Sequence, residues 1–93
     1  MTYRLKFKDE AWKEWHKLDS TVRQQFKKKL TERLQDPRVP SAKLSGHADR
    51  YKIELKSSGY RMVYQVRDAE VVVAVIAIGK RERNAVYVSA DNR

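Results

Sequence analysis

Cysteine is absent from this chain of 93 residues, which contains only three glycines and two prolines. Without cysteine, the protein has no disulfide, no thiolate nucleophile and no cysteine-ligated metal site. Acidic residues are also scarce, because 12 Asp and Glu stand against 21 Lys and Arg, a formal net charge of +9. A surface this basic attracts polyanions, and it equally suits an acidic protein partner.

Long hydrophobic segments are absent as well. The longest apolar run, residues 71–78, is too short to span a bilayer, and residues 1–4 lack the apolar region of a secretion signal. We therefore expect a cytoplasmic protein, and the length predicts a single domain over residues 1–93. His16 and His47 have no partner spacing typical of a catalytic triad or a metal site, so neither a metal nor a cofactor is expected.

The first half of the chain predicts a strand followed by a helix. Residues 2–7 alternate apolar and basic side chains, which is typical of a half-buried strand. Asp9 is expected to cap the first helix, and both Trp12 and Trp15 are expected to pack in the core, since they recur at helical spacing. Asp19, with the serine after it, supplies the cap of a second helix.

The second helix has an apolar stripe and a clear end. It must stop near Asp36, because Pro37 disfavours helical geometry in the residue before it. Residues 38–46 combine proline, serine and glycine with few large apolar side chains, and we interpret them as a surface loop. The stripe consists of Val22, Phe26, Leu30 and Leu34.

The second half of the chain predicts three strands. Residues 51–56 and 60–67 alternate in polarity around a turn at 57–59, and a second turn leads into the apolar run 71–78, a central strand. The order β-α-α-β-β-β predicts an α+β fold. In it a helical hairpin packs on one face of a small, twisted, mostly antiparallel sheet, and the other face is free for function.

Strand alternation places a cationic patch on that free face. Gly79 is expected to permit a turn after the apolar strand, from which Arg81 reaches the rim of the patch. The side chains that point away from the helices along the two hairpin strands are Lys52, Glu54, Lys56 and Arg61.

Three stretches of the sequence resemble a known family: residues 51–53, residues 57–66 and residues 79–87. They are similar to the RelE toxins of bacterial type II toxin–antitoxin pairs, in the RelE/ParE superfamily, which are ribosome-dependent messenger-RNA endonucleases. The similarity extends over nearly the whole chain. It implies a RelE-like fold, in agreement with the element order deduced from the residue pattern.

The resemblance also implies an active site. Lys52, Arg61, Arg81 and Tyr87 are expected to surround the scissile phosphate of a codon in the ribosomal A site, where the ribose 2′-hydroxyl attacks its own phosphate without a metal. Lys52 and Arg61 would neutralise the developing charge, Arg81 would act near the leaving oxygen as an acid or a hydrogen-bond donor, and Tyr87 would stack on or orient the nucleotide. Additional RNA contacts are expected from Lys28, Lys29, Lys56, Lys80 and Arg83.

Two features depart from the family pattern. Glu54 stands where close family members carry a second lysine. Its carboxylate either takes the 2′-hydroxyl proton as the general base or pairs with Lys52 or Lys56 and partly quenches the phosphate site. Residues 88–93 are expected to form barely one turn of helix, so that control through a C-terminal helix displaced by the antitoxin, as in the family, is not expected here.

The leading hypothesis is therefore an endoribonuclease toxin with three partners. These are a cognate antitoxin whose acidic or amphipathic segment folds on the basic surface, the ribosome with bound mRNA, and operator DNA only as a complex with the antitoxin. One alternative is a non-nucleolytic binding toxin of the ParE branch, which poisons a DNA topoisomerase; Arg61, Arg81 and Tyr87 argue against it. The other is an inactive homologue that acts with its antitoxin in binding or transcriptional autoregulation.

Overall fold

The computed structural model describes residues 2–80 and 85–93. Short 3-10 turns at Pro40–Ala42 and Asp68–Glu70 interrupt the connections. None of the helices in the described ranges is long and apolar enough to cross a membrane. The strands and helices are, in chain order, β1 (Arg4–Phe7), α1 (Asp9–Lys17), α2 (Ser20–Gln35), β2 (Arg50–Leu55), β3 (Tyr60–Arg67), β4 (Val72–Lys80) and α3 (Ala85–Asp91).

The four strands form one sheet in the order β1-β4-β3-β2. Strand β1 runs parallel to β4, whereas β4 with β3 and β3 with β2 are antiparallel. A shift of register between Val63 and Tyr64 marks a β-bulge, with Ile76 as the extra residue on β4. The predicted α+β fold with a mostly antiparallel sheet is confirmed.

The α1–α2 hairpin packs on one face of this sheet and covers the larger core. Asp19 caps α2 as predicted, because its carboxylate accepts a hydrogen bond of 2.9 Å from the backbone N–H of Val22. The predicted α2 stripe points inward, and the helix ends at Gln35. The core on this side includes Val22, Phe26, Leu30, Ile53, Met62 and Tyr64.

Two predictions for α1 were wrong. Lys8, not Asp9, occupies the N-cap position, and no side chain caps the helix there; Asp9 lies in the first turn, where its charge favours the helix dipole. Trp15 is 7% exposed, but Trp12 is 48% exposed and meets Phe7 only edge-on. One residue along a helix is a rotation of about 100°, which carries Trp12 off the buried stripe.

The sheet face opposite the hairpin is not free, in contrast to the prediction. Helix α3 covers it, and Val86 and Ala90 pack there against Val63, Ile76 and Ala77 in a second core cluster. Residues 88–93 contribute about one turn to this helix, as expected, but α3 begins earlier, at Ala85, and has seven residues. Val63 is fully buried because it faces α3.

Gly79 does not form the predicted turn. Strand β4 continues through Lys80, and Gly79 pairs with Arg61 of β3. A Cβ atom at Gly79 would lie 3.8 Å from Cβ of Val86, so that this position faces α3 at ordinary packing distance. Similarly, the predicted loop 38–46 is not wholly superficial, because Ala42 is buried in the main core.

Candidate functional site

Pairing of β2 with β3 assembles the charged centre of the site. Glu54 lies directly opposite Arg61 in the register, and Lys52 shares the face of Glu54 because the two are separated by two residues in one strand. Nζ of Lys52 is 2.8 Å from Oε1 of Glu54, and Nε of Arg61 is 3.4 Å from Oε2. Two cations thus converge on one carboxylate.

Helix α3 adds an aromatic ring to this centre. The guanidinium carbon of Arg61 lies 5.3 Å from the centroid of the Tyr87 ring, within the range of a cation–π interaction. Nε of Arg61 is buried and makes no hydrogen bond within the described part of the chain, since its approach to Glu54 has the distance of an ion pair without hydrogen-bond geometry. The guanidinium is therefore held between a carboxylate and a ring.

Arg33, which the sequence did not reveal as a site residue, supports the backbone of Lys52. Nη1 of Arg33, in the last turn of α2, donates to the carbonyl oxygen of Lys52 at 3.0 Å and to the Tyr64 hydroxyl at 2.9 Å. The Tyr64 hydroxyl in turn donates to the carbonyl oxygen of Pro37 at 2.7 Å. Burial raises the pKa of Tyr64, although Arg33 opposes this effect. The only signal in the sequence is a basic residue beside the apolar stripe.

A basic cleft adjoins the site on the α2 side. It has a volume of about 700 Å³, is open to solvent, and reaches the charged centre through Glu54, which lies in its wall. Three of the predicted RNA-contacting lysines line it together, although they come from distant parts of the sequence. They are Lys28 and Lys29 of α2 and Lys56, which follows β2.

The remaining predicted residues have different outcomes. Lys80 is exposed at the end of β4, with its ammonium 5.8 Å from the Tyr60 ring. Arg81 and Arg83 lie outside the described residues, so their predicted roles stay predictions. His16 packs edge-on against Trp12, and His47 pairs with an aspartate of α3. Within residues 2–80 and 85–93, no cluster of three or more potential metal ligands occurs.

The sequence matches a known family over most of its length. The family described as ParE toxin of type II toxin-antitoxin system, parDE, matches residues 5–85. Over 93 residues the chain is 59% identical to the mRNA interferase toxin RelE of Escherichia coli strain K12, and the match covers 100% of this chain and 98% of that protein. A putative RelE-like toxin protein of Escherichia coli is 53% identical over the same length, with the same coverage.

Solved structures agree with this relationship. The free-state structure of an R81A/R83A mutant of E. coli toxin RelE has a TM-score of 0.93 at 57% identity, and the match covers 100% of this chain and 98% of that chain. A chain of the intact E. coli RelBE toxin–antitoxin complex has a TM-score of 0.84 at 60% identity, with coverage of 87% and 99%. The chain belongs to the RelE family of toxins of type II toxin–antitoxin systems, within the RelE/ParE superfamily.

Proposed function

We propose that this toxin is a ribosome-dependent endoribonuclease that cleaves mRNA in the ribosomal A site and so inhibits translation. One observation carries the proposal: Lys52 and Arg61, from two strands, converge on Glu54, and the Tyr87 ring from a helix lies against Arg61. Paired cations beside an aromatic ring suit a phosphate flanked by a base, because the cations stabilise charge on the phosphate oxygens and the ring stacks on the base. The name of the E. coli relative, an mRNA interferase, supports the same reaction.

The proposed reaction needs only groups of the RNA and of the protein. The ribose 2′-oxygen attacks the adjacent phosphorus, the bond from phosphorus to the 5′-oxygen breaks, and the products are a cyclic phosphate and a 5′-hydroxyl. Lys52 and Arg61 offset the charge that develops on the non-bridging oxygens. Arg81, which follows β4 directly in the sequence, donates the proton that the leaving 5′-oxygen needs, and solvent afterwards returns a proton to Arg81.

Glu54 is proposed as the general base. Its carboxylate lies 2.8 Å from Lys52 and 3.4 Å from Arg61, beside both cations that would bind the phosphate. When the phosphate draws those two cations toward itself, their ion pairs with the carboxylate weaken, and the carboxylate becomes a better acceptor for the 2′-hydroxyl proton. This exchange of partners links substrate binding to base activity.

The ribosome is proposed to supply the positioning that the isolated site lacks. The site lies beside a cleft that is open to solvent. Lys28, Lys29 and Lys56 are proposed to contact the RNA backbone in that cleft, and Lys80 and Arg83 are proposed to add further contacts. In a codon already fixed in the A site, the 2′-hydroxyl is aligned with the phosphorus and the leaving 5′-oxygen without further cost in entropy.

The proposed partners follow from the same surface. A cognate antitoxin neutralises the toxin, in keeping with the solved E. coli RelBE complex, and operator DNA is bound only together with that antitoxin. The surface charge suits an acidic antitoxin segment that folds on binding. The site of action is the cytoplasm, where translating ribosomes are found.

Mapping of new RNA 5′ ends tests the proposal. A defined message is incubated with the toxin, with and without programmed ribosomes, and with Arg61→Ala as the site variant. The matched control is Arg67→Ala, which changes an arginine at the far end of the same strand, where it pairs with Glu70. Cleavage within A-site codons only when ribosomes are present, lost in Arg61→Ala and kept in Arg67→Ala, is the expected result.

A second candidate is supported by the same ion pairs. Because Glu54 neutralises part of the charge of Lys52 and Arg61, the protein could be an inactive homologue that acts only with its antitoxin. Intact message under all conditions, together with cleavage by a Glu54→Lys variant, would establish this reading. If the message stayed intact with the unmodified protein and also with Glu54→Lys, a ParE-like binding toxin would be favoured instead.

A further inference from the structure

Strand β4 extends beyond the strand that pairs with it on one side. Its pairing with β1 stops at Phe7 and Val75, and among the described residues no strand pairs with 76–80 on that side. Side chains take the place of the missing strand. Oε1 of Glu14, from α1, accepts a hydrogen bond of 3.1 Å from the backbone N–H of Ile78, and Arg93 donates to the carbonyl oxygen of Ile76 at 2.8 Å.

Arg93 and Glu14 are bound to each other as well as to the strand. Nη1 and Nη2 of Arg93 reach the two carboxylate oxygens of Glu14 at 2.6 and 3.1 Å, which is a bidentate pair. Nε of Arg93 lies 2.9 Å from Oε2 of Glu10, one helical turn earlier. The Arg93 side chain is only 13% exposed, and the hydrogen bonds that it donates to Glu14 raise its pKa. This cluster of Glu10, Glu14 and Arg93 is called the C-terminal clamp.

The clamp joins α3 to the rest of the molecule close to where that helix ends. Arg93 follows α3 by two residues, and Asp91, the last residue of α3, pairs with Arg50 at 3.0 Å and with His47 at 3.0 Å. A helix of seven residues is not stable on its own in water, so its position depends on such anchors and on its packing. The same helix carries the Tyr87 ring that lies over Arg61.

We propose that Arg93 is a positioning residue of the nuclease site: by binding Glu14 and the backbone of β4, it fixes α3 and so holds the Tyr87 ring over the Arg61 guanidinium. Glu14 anchors the end of β4, since it binds the backbone N–H of Ile78, two residues before Lys80 and three before Arg81 in the sequence. Helix α3 and the end of β4 therefore both depend on one partly buried ion pair. The inference rests on the proposed function, because it assigns Arg93 a role in that reaction.

Single-turnover cleavage on programmed ribosomes tests the role. Arg93→Ala is expected to lower the cleavage rate constant on the order of 10- to 100-fold, because small misplacements of catalytic groups have effects of that size. Binding of the toxin to ribosomes should change little, since Arg93 lies outside the basic cleft. Arg93→Lys keeps the positive charge beside Glu14 but loses the bidentate guanidinium, so its rate constant should lie between those of Arg93→Ala and the unmodified protein. Arg93→Lys takes the place of Arg93→Ala if the alanine variant does not fold cooperatively. Arg67→Ala serves as the control with unchanged rate.

A double-mutant cycle separates positioning from general destabilisation. If Arg93 acts through Tyr87, the Arg93→Ala change should have little further effect in a Tyr87→Ala background. Full additivity of the two effects on the rate constant would overturn the proposal. So would a loss of ribosome binding equal to the loss of rate, because that result would place Arg93 in the binding surface.

Hydrogen exchange provides a readout that does not depend on nuclease activity. The amides of residues 88–90 should exchange faster in Arg93→Ala than in the unmodified protein, whereas those of α2 should not change. Equal exchange of α3 in both proteins would show that the clamp does not fix the helix. If the unmodified toxin did not cleave mRNA at all, the proposed function would fail, but faster exchange of α3 would still identify Arg93 as its anchor.

Discussion

A single carboxylate governs the charge at the centre of the site. Glu54 is within 2.8 Å of the Lys52 ammonium and within 3.4 Å of Arg61, so any change at this position alters both cations together. As the proposed base, it should be needed for catalysis more than for phosphate binding.

Replacement of Glu54 with glutamine is therefore expected to lower the cleavage rate constant about 10²- to 10⁴-fold, the usual contribution of a general base. The amide keeps the shape of the side chain but does not accept a proton at neutral pH. Cleavage rates at saturating programmed ribosomes check this, with Glu70→Gln as a matched exposed control. A rate that rises in Glu54→Gln would show that the carboxylate quenches the site and is not its base.

Arg33 has a structural role that should appear in the stability of the protein. In Arg33→Met the carbonyl oxygen of Lys52 loses its guanidinium donor, and the Tyr64 hydroxyl keeps only Pro37 as partner. Because a buried polar group left without a partner costs about 1–3 kcal/mol, we expect a fall of that size in the free energy of unfolding. Urea denaturation measures it, with Lys27→Met on the exposed side of α2 as the control. An unchanged midpoint would show that solvent replaces Arg33 fully.

The predictability of individual residues depended on whether their neighbours lie in regular strands. Lys52, Glu54 and Arg61 were placed together correctly because strand alternation and a short hairpin leave little freedom in register. Tyr87 was found only through the family resemblance, since nothing in its local pattern marks it. Arg33 was missed because its partners are a backbone carbonyl and a distant hydroxyl, which no spacing along the sequence indicates.

Among the secondary-structure elements, α3 completes the site, because it carries the Tyr87 ring that lies against Arg61. It is short and contributes Val86 and Ala90 to the second core cluster, with Tyr87 packed against them, and on the opposite side Val88 is 57% exposed. A few contacts therefore hold an element on which a proposed catalytic side chain depends.

The substitution Ala90→Asp should detach α3 without unfolding the sheet. An unpaired carboxylate against Val63 and Ile76 is costly to bury, whereas the α1–α2 core lies on the other face and is untouched. We expect faster hydrogen exchange in α3 and loss of cleavage, with far-ultraviolet circular dichroism nearly unchanged. Val88→Asp, two residues earlier on the exposed side, should behave as the unmodified protein does. Equal effects of the two changes would contradict the proposed packing role.

Sequence patterns identified most elements but not this one. The α2 stripe and the alternating strands repeat long enough to reveal their period, and β4 is apolar because helices cover both of its faces. Helix α3 shows only two inward positions, four residues apart, after a polar stretch, which is too little to reveal a helical period. Trp12 was assigned wrongly for a similar reason. Helix α1 is short, and Trp12 lies beside its single buried stripe, so the pattern did not show that only Trp15 of the two tryptophans faces the core.

For the molecule as a whole, the net charge of +9 predicts salt-sensitive binding to RNA. Single-stranded RNA releases about 0.7 counterion for each phosphate that is neutralised, so removing Lys28 and Lys29 together should reduce the slope of log K against log salt by about one to two. Titration of the toxin with ribosomes at several salt concentrations measures the slope. A Lys13→Ala/Lys17→Ala variant, altered on the exposed side of α1, tests whether overall charge alone explains the change.

Acid stability should depend on a network at the opposite end of the sheet. The Tyr3 hydroxyl donates to Asp68 at 2.6 Å, and Arg38 pairs with both Asp68 and Asp49, so that the N-terminus, a loop and the β3–β4 turn are joined. The Tyr3 hydrogen bond, followed by Arg38, lowers the pKa of Asp68. Because the pKa of Asp68 is lower in the folded protein than in the unfolded chain, Asp68 contributes its full stabilisation above its ordinary pKa of about 4. That stabilisation is lost as the pH falls through the lower pKa of the folded protein.

In Asp68→Asn the acid-induced loss of stability should therefore be smaller between about pH 5 and pH 2 than in the unmodified protein. Denaturant midpoints at a series of pH values measure this difference. Because Asp68 is exposed, the effect should shrink as salt is added. An identical pH dependence in the two proteins would show that the network does not contribute.

The side chains that complete the edge of β4 also bear on self-association. A bare strand edge presents backbone donors and acceptors that template pairing with a second molecule, and charged side chains placed across it prevent such pairing. Glu14 and Arg93 occupy the groups of Ile78 and Ile76 that another copy of the chain would otherwise use. The clamp thus makes the toxin a poor seed for aggregation during any interval in which it is free of its antitoxin.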